Sequence, residues 1–194
     1  MNKSPPMNIS MASILGLIYV LSELGLTLKK RAKAGDSRAL DRGSLRLLWI
    51  VITLCSFLAF DVAYGFPAAR MGARVVLRYL GLGLFVAGLA IRWYSIIHLG
   101  RFFTVNVAIA ANHRLIDTGP YRFVRHPSYT GALMAFLGLG LCLDNWASLA
   151  VLVVPIFLVF LWRMRVEESA LLQGLGDPYS GYMSRTKRLI PAVY

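Results

Sequence analysis

The sequence predicts an all-α, polytopic membrane protein with about five transmembrane helices. Of its 194 residues, 57% are hydrophobic and only 15% are charged, and the mean hydropathy is +0.61. Five apolar segments approach the roughly 20 residues that a helix needs to cross a bilayer. Lysine and arginine concentrate in short loops beside these segments, which is typical of membrane proteins.

The five predicted spans are short enough to form one compact bundle. In chain order they are Ile9 to Leu28, Leu45 to Phe66, Val75 to Ile97, Ser128 to Leu143 and Trp146 to Arg163. Only Asp144 and Asn145 separate the last two, which predicts a tight helical hairpin. Glycines in the runs 81–83 and 138–140 predict close helix packing through small residues.

Basic residues predict the orientation in the membrane. The loop from Lys29 to Arg46 carries seven of them, whereas the predicted outer side has only Lys3, Arg70, Arg74 and Arg78. The positive-inside rule then places the N-terminus outside and the C-terminus and active site in the cytoplasm. We expect one transmembrane unit over 1–194, with three spans in 1–97 and the site in 98–194.

The C-terminal tail continues the last predicted span beyond the bilayer. Gly174, Gly176 and Pro178 are expected to end this helix, and the residues after them to form a cytoplasmic cap.

The net charge of +12 has a lipid rather than a nucleic-acid interpretation. The basic residues lie beside apolar spans, where they meet anionic headgroups of the lipid bilayer. We therefore expect no nucleic-acid partner. Cys55 and Cys142 lie inside apolar runs, and the three histidines are not at ligand spacing, so we also expect no metal site.

A polar cluster from Gly119 to Tyr129 is the strongest functional signal. Its arginines, His126 and Tyr129 stand at a bilayer edge, where a polar group is costly without a partner. Pro127 suits the first turn of the fourth helix, whose free N–H groups offer a seat for a carboxylate. The structural alternative is an interfacial helix cap with Tyr129 as a membrane-belt aromatic.

Charged residues in the spans give further candidates. Arg163 and Glu167 are four residues apart and share a helix face, so they form either a surface ion pair or a clamp for a ligand carboxylate. Arg92 must face the protein interior, and Glu23 or Asp61 is its available partner. Arg165 is expected to meet lipid headgroups and Glu168 to be solvated.

Taken in order, these motifs resemble the isoprenylcysteine carboxyl methyltransferase family. The matching residues are His113-x-Leu115-Ile116-x-x-Gly119-x-Tyr121, Arg125-His126-Pro127-Ser128-Tyr129, Arg163-x-x-x-Glu167-Glu168, Gly176-Asp177-x-Tyr179-x-x-Tyr182 and Arg188-x-x-Pro191. The resemblance covers the C-terminal half, from Asn106 to Pro191.

The resemblance implies a membrane-embedded methyltransferase that uses S-adenosylmethionine without a Rossmann domain. By position, it implies the following cofactor contacts: Asn106, His113, Arg114, Leu115, Ile116, Tyr121, His126, Pro127, Ser128, Tyr129 and Glu167. Arg163 matches the residue that holds the substrate carboxylate, and His126 is a second catalytic candidate. The implied acceptor is a lipophilic or prenylated small substrate.

Other functions remain open from the sequence. N-methylation of a phospholipid amine requires a base near the methyl group, because an ammonium must first lose a proton. S-methylation of a small thiol is a further enzymatic possibility. A small scaffold or transporter is the non-enzymatic one, although the sequence has neither paired broken helices nor internal repeats.

Overall fold

The computed structural model describes residues 7–30, 43–103 and 115–194. The described residues form six α-helices: α1 (Met7–Lys30), α2 (Ser44–Gly65), α3 (Arg74–Leu99), α4 (Pro127–Cys142), α5 (Trp146–Leu175) and α6 (Asp177–Arg185). Within these three ranges, β-type pairing is limited to two isolated bridges. The all-α membrane fold is therefore confirmed.

The first five helices coincide with the five predicted spans. Of the described helices, α2, α3 and α5 are long and apolar enough to cross a membrane, whereas the apolar parts of α1 and α4 are shorter. The count of five spans therefore stays a prediction. The bundle is held by packing of α3 along α4 and of α2 along α5, with α1 lying against α4.

Glycines allow α3 and α4 to approach each other at backbone distance. A Cβ added to Gly88 would lie 2.5 Å from the Gly131 carbonyl oxygen, and one added to Gly81 would lie 2.6 Å from the Gly138 carbonyl oxygen. The predicted packing through small residues is confirmed at these positions. It does not extend to Gly83, where an added Cβ has nothing within 4 Å.

The connection between α4 and α5 is a capped turn, as the predicted hairpin requires. The Asn145 side chain accepts a hydrogen bond from the Ser148 N–H at 3.0 Å and so caps α5. Its amide nitrogen donates to the Phe66 carbonyl at 2.8 Å, which ties this turn to the end of α2.

Helix α5 continues beyond its predicted span, as expected from the tail, and one face of this extension, with Glu168 and Ala170, is buried. Thirty residues give a length of about 45 Å, compared with about 30 Å for a bilayer core. The helix ends at Leu175, followed by Gly176 with φ 61°, as the glycines predicted. Residues 176–194, which we call the C-terminal cap, fold back onto the start of α4.

Two backbone hydrogen bonds fasten the C-terminal cap to that segment. The N–H of Arg125 donates to the Lys187 carbonyl at 2.8 Å, and the N–H of His126 donates to the Arg188 carbonyl at 3.0 Å. The Thr130 hydroxyl donates to the Leu189 carbonyl at 2.8 Å. The cap therefore packs on the helix start, while its cytoplasmic location remains a prediction.

Candidate active site

A cavity lies at the end of the bundle where α1, α3 and α5 terminate and α2 and α4 begin. Its empty volume is about 1280 Å³, including space open to solvent. Residues from all five of these helices and from the C-terminal cap line it. Consecutive antiparallel helices bring alternate N- and C-terminal ends together, and so distant parts of the sequence meet here.

The start of α4 supplies the polar floor of this cavity. Pro127 restricts the preceding residue, and His126 has φ −124° and ψ 56°, outside the helical region. The His126 carbonyl accepts from the N–H groups of Tyr129 and Thr130 at 3.0 and 3.1 Å. The proline therefore fixes where the helix begins and turns the side chains of His126 and Ser128 into the cavity wall.

Tyr129 links the two charged candidates on α5. Its hydroxyl donates to Glu167 Oε2 at 2.9 Å and accepts from Arg163 Nε at 3.1 Å. Arg163 is buried, and its Nη1 also donates to the Ser44 hydroxyl at 2.7 Å. The predicted relation between Arg163 and Glu167 thus includes the tyrosine from the other helix.

The Tyr129 ring is itself held between two other rings. It stacks on the His126 imidazole with centroids 5.5 Å apart and on the Phe160 ring at 4.9 Å. Because the ring has neighbours on both helices, its hydroxyl is fixed at the junction of α4 and α5.

The expectation that Glu168 is solvated is wrong. Only 4% of the residue is exposed. Its carboxylate accepts from Arg125 Nε at 2.9 Å and from Arg188 Nη2 at 2.7 Å, and His126 Nε2 lies 3.1 Å away. The C-terminal cap and the segment before α4 cover this carboxylate, and the cationic partners compensate its burial.

The contact with Glu168 determines one hydrogen on His126. An ionised carboxylate only accepts hydrogen bonds, so Nε2 of the imidazole carries a hydrogen in this contact. The other ring nitrogen, Nδ1, lies 3.8 Å from Glu167 Oε2. His126 is buried, and its orientation is fixed by Glu168 on one side and by the Tyr129 ring on the other.

Tyrosines of the C-terminal cap close the cavity on the side of the chain segment before α4. The Tyr182 hydroxyl donates to the Tyr121 carbonyl at 2.6 Å, and Tyr179 and Tyr182 both line the cavity. Burial raises the pKa of Tyr182 to about 12, with the nearby Arg125 acting in the opposite direction. Tyr182 is therefore a neutral hydrogen-bond donor throughout the physiological pH range.

The remaining wall is apolar and comes from α1, α2 and α5. Leu26, Leu48, Trp49, Ile52 and Phe160 line this part. It faces the polar groups at the start of α4 across a single cavity, which combines a lipophilic and a charged environment.

The structure brings together most of the residues named from the sequence. Those that line the cavity are Leu115, Ile116, Tyr121, His126, Ser128, Tyr129, Arg163 and Glu167. Pro127 is buried at the first position of α4 and shapes the site through the backbone. Asn106, His113 and Arg114 lie outside the described residues. Among the described side chains, no group of three histidine, cysteine, aspartate or glutamate residues is placed to hold a metal ion.

Two groups of site residues were not predicted from the sequence. The first is the carboxylate of Glu168 with its partner Arg188, although both belong to the quoted motifs. The second is the wall from α1 and α2, including Tyr19 and Trp49. Apolar periodicity marks such residues as buried but does not say whether a helix neighbour or a cavity covers them.

Comparison with known proteins shows which family the region around this site resembles. Residues 81–173 match the sequence profile of the isoprenylcysteine carboxyl methyltransferase (ICMT) family. Protein-S-isoprenylcysteine O-methyltransferase B of Arabidopsis thaliana is 33% identical over 115 residues, which cover 58% of this chain and 58% of the relative. The cobalt-zinc-cadmium resistance protein CzcN of Cupriavidus metallidurans is 28% identical over 165 residues, covering 82% of this chain and 71% of the relative.

The fold has a solved counterpart as well. The eukaryotic intramembrane Ras methyltransferase ICMT superposes with a TM-score of 0.70 at 21% identity, covering 98% of this chain and 70% of that one. The chain thus spans a little over half the length of the plant relative and shares its fold with the solved enzyme. Residues 81–173 thus resemble the isoprenylcysteine carboxyl methyltransferase family, and the chain shares the fold of its solved member.

Proposed function

We propose that this protein is a membrane-embedded methyltransferase. It transfers a methyl group from S-adenosylmethionine to the carboxylate of a lipophilic acceptor resembling an isoprenylcysteine. The observation that carries the proposal is one cavity in which Arg163, Tyr129 and Glu167 form a hydrogen-bonded chain beside an apolar wall. A small-molecule site with few, fixed polar groups has this composition.

The residues present fit S-adenosylmethionine. Its sulfonium is a cation, which suits the Glu167 carboxylate and the aromatic ring of Tyr121. Its amino-acid carboxylate suits the positive end of the helix dipole at the start of α4. Leu115 and Ile116 offer an apolar surface for the base, and His126 and Ser128 complete the polar side. Asn106, His113 and Arg114 remain cofactor contacts by family resemblance alone.

In the proposed reaction, Arg163 orients the acceptor. When bound, S-adenosylmethionine supplies a methyl group that a carboxylate oxygen displaces from sulfur, leaving a neutral thioether. The acceptor carboxylate is ionised at pH 7, because its reference pKa is near 4, and no general base is required. The guanidinium of Arg163 is suited to bidentate binding of that carboxylate, and the C-terminal cap excludes water.

The surroundings of His126 bear on the alternative of an amine acceptor. An ammonium group must lose a proton before it can accept a methyl group, and His126 would be the base. Its Nε2 is committed to the buried Glu168, which leaves only Nδ1, 3.8 Å from Glu167, to take a proton. A carboxylate on one ring N–H supports the other ring nitrogen as a base, so an amine acceptor stays an alternative that the labelling experiment decides.

A labelling experiment tests the reaction class. Purified protein is incubated with methyl-labelled S-adenosylmethionine and, separately, with prenylcysteines, phospholipid amines and small thiols. We expect label on the prenylcysteine that is released as methanol by mild base, because the product is an ester. Label that resists base on an amine or a thiol would replace the carboxylate assignment, and no labelled product at all would remove the methyltransferase proposal. The relative CzcN has a name that refers to metal resistance and not to a prenylated acceptor. All three classes of acceptor are therefore included.

Variants of two arginines on α5 test the assignment of the acceptor site. Arg163→Ala is expected to raise the KM for the carboxylate acceptor at least about tenfold, while the affinity for S-adenosylhomocysteine changes little. Arg165→Ala is the matched control, because Arg165 is on the same turn but exposed. Equal KM values for the two variants would exclude Arg163 from acceptor binding.

The topology is part of the proposal. The five spans follow from the apolar segments, and the length of the chain favours one unit over 1–194. The outer N-terminus and the cytoplasmic site and cap follow from the distribution of basic residues. Single cysteines introduced at exposed Arg70 and Ser184 of a Cys55/Cys142-free protein provide the test in sealed vesicles. An impermeant thiol reagent should reach the two positions from opposite sides.

A further inference from the structure

A buried ion pair lies in the cavity wall, away from the Arg163 chain. Arg92 of α3 donates from Nε to Glu23 Oε1 at 2.6 Å and from Nη2 to Glu23 Oε2 at 2.7 Å. Both residues are only 8% exposed. This bidentate pair joins α1 to α3 and confirms Glu23, rather than the exposed Asp61, as the partner of Arg92.

The third nitrogen of Arg92 reaches the start of α4. Its Nη1 donates to the backbone carbonyl of Ser128 at 3.2 Å. Ser128 is the second residue of α4 and lies between His126 and Tyr129, the residues that line the proposed cofactor site. One guanidinium therefore holds α1 with one edge and the first turn of α4 with the other.

We propose that Arg92 is a positioning residue for the cofactor site, oriented by Glu23. A guanidinium presents its N–H groups in a rigid plane, so the pair with Glu23 fixes the direction in which Nη1 points. That direction fixes the first turn of α4, which carries Ser128 and Tyr129. The consequence for cofactor binding rests on the proposed function; the consequence for the order of this turn does not.

Arg92→Lys separates the two contacts. A lysine ammonium keeps a charge opposite Glu23, but it lacks the planar fork that reaches Ser128 at the same time. We expect the variant to fold. Its backbone amides in a peptide covering 124–133 should exchange faster, and it should bind S-adenosylhomocysteine about tenfold more weakly. Glu23→Gln, which still accepts a hydrogen bond, is expected to show the same changes to a smaller extent.

The neighbouring residue provides the control. Trp93 Nε1 donates to the Ser22 hydroxyl at 2.8 Å, a second hydrogen bond between α3 and α1 that does not touch α4. Trp93→Phe should weaken the α1–α3 contact while leaving the exchange of peptide 124–133 and ligand affinity at wild-type values. If Arg92 only stabilised the contact between α1 and α3, Arg92→Lys and Trp93→Phe would show the same exchange of peptide 124–133 and the same affinity for S-adenosylhomocysteine.

The outcomes distinguish this inference from the proposed function. Faster exchange of 124–133 in Arg92→Lys and not in Trp93→Phe supports the positioning role. This holds even if the wild-type protein binds no S-adenosylhomocysteine. Such a lack of binding would count against the proposed function only. Wild-type exchange in Arg92→Lys and in Glu23→Gln overturns the positioning role. If Arg92→Lys does not fold, the Glu23→Gln result decides.

Discussion

Replacing Glu168 by glutamine tests whether a single buried carboxylate holds the C-terminal cap in place. In the structure this carboxylate contacts Arg125, His126 and Arg188. Of these three residues, only Arg188 belongs to the C-terminal cap. Glutamine keeps the size of the side chain and removes the charge. Two arginines then face a neutral amide in a largely buried position.

The magnitude follows from the burial of the three charges. Breaking a buried ion pair by removing one partner costs about 3–5 kcal/mol. The Arg188 side chain is 24% exposed and regains some hydration, so we take the lower value of about 3 kcal/mol. For a chain of this size, 1 kcal/mol shifts the Tm by about 2–4 °C, which gives an expected decrease of about 6–12 °C.

Thermal unfolding in detergent, followed by tryptophan fluorescence, measures this decrease. Hydrogen exchange of residues 176–194 reports whether the cap has loosened. Glu167→Gln is the matched control, because the Glu167 side chain is 33% exposed and its hydrogen bond from Tyr129 can be made to an amide oxygen. We expect its Tm to fall by at most about 4 °C, corresponding to about 1 kcal/mol, with a loss of cofactor affinity instead. Equal Tm values for the two variants, with unchanged exchange in the cap, would refute the reasoning.

Two further substitutions probe the site and the helix packing. Tyr129→Phe removes the hydroxyl between Arg163 and Glu167 but keeps the stacked ring. We expect turnover to fall by about 10- to 100-fold with a small change in Tm. Wild-type turnover would contradict a catalytic role of the hydrogen bonds that join these three side chains. Gly88→Ala places a Cβ 2.5 Å from the α4 backbone and should cost about 1–3 kcal/mol in stability, measured by Tm. Gly83→Ala, with nothing within 4 Å, should match wild type.

Local sequence signals were sufficient to predict α1 to α5, whereas α6 was expected only as part of a cap. Runs of apolar residues set the positions of α1 to α5, since burial in lipid or in a core requires such runs. Helix ends followed from residues with restricted or unusual backbone angles, such as Pro127 and Gly176. These are properties of a few neighbouring residues and need no knowledge of the fold.

The cluster of site residues was only partly predictable. His126, Tyr129, Arg163 and Glu167 were selected because polar groups at a membrane edge require partners. Glu168 was expected to be solvated because helix periodicity alone places it on a different face from Glu167. The C-terminal cap covers that face as well, and burial there depends on residues 20 positions further along the chain.

By itself, the sequence determined an all-α membrane fold, the approximate helix bounds and the residue types at the site, because these depend on hydrophobicity and on local backbone geometry. Only the tertiary structure decided which partners these residues have. It pairs Arg92 with Glu23, places the Tyr129 hydroxyl between Arg163 and Glu167, and buries Glu168 under the cap. The physical reason is that each contact joins residues at least 20 positions apart or on different helices, and their approach depends on the packing of the whole bundle.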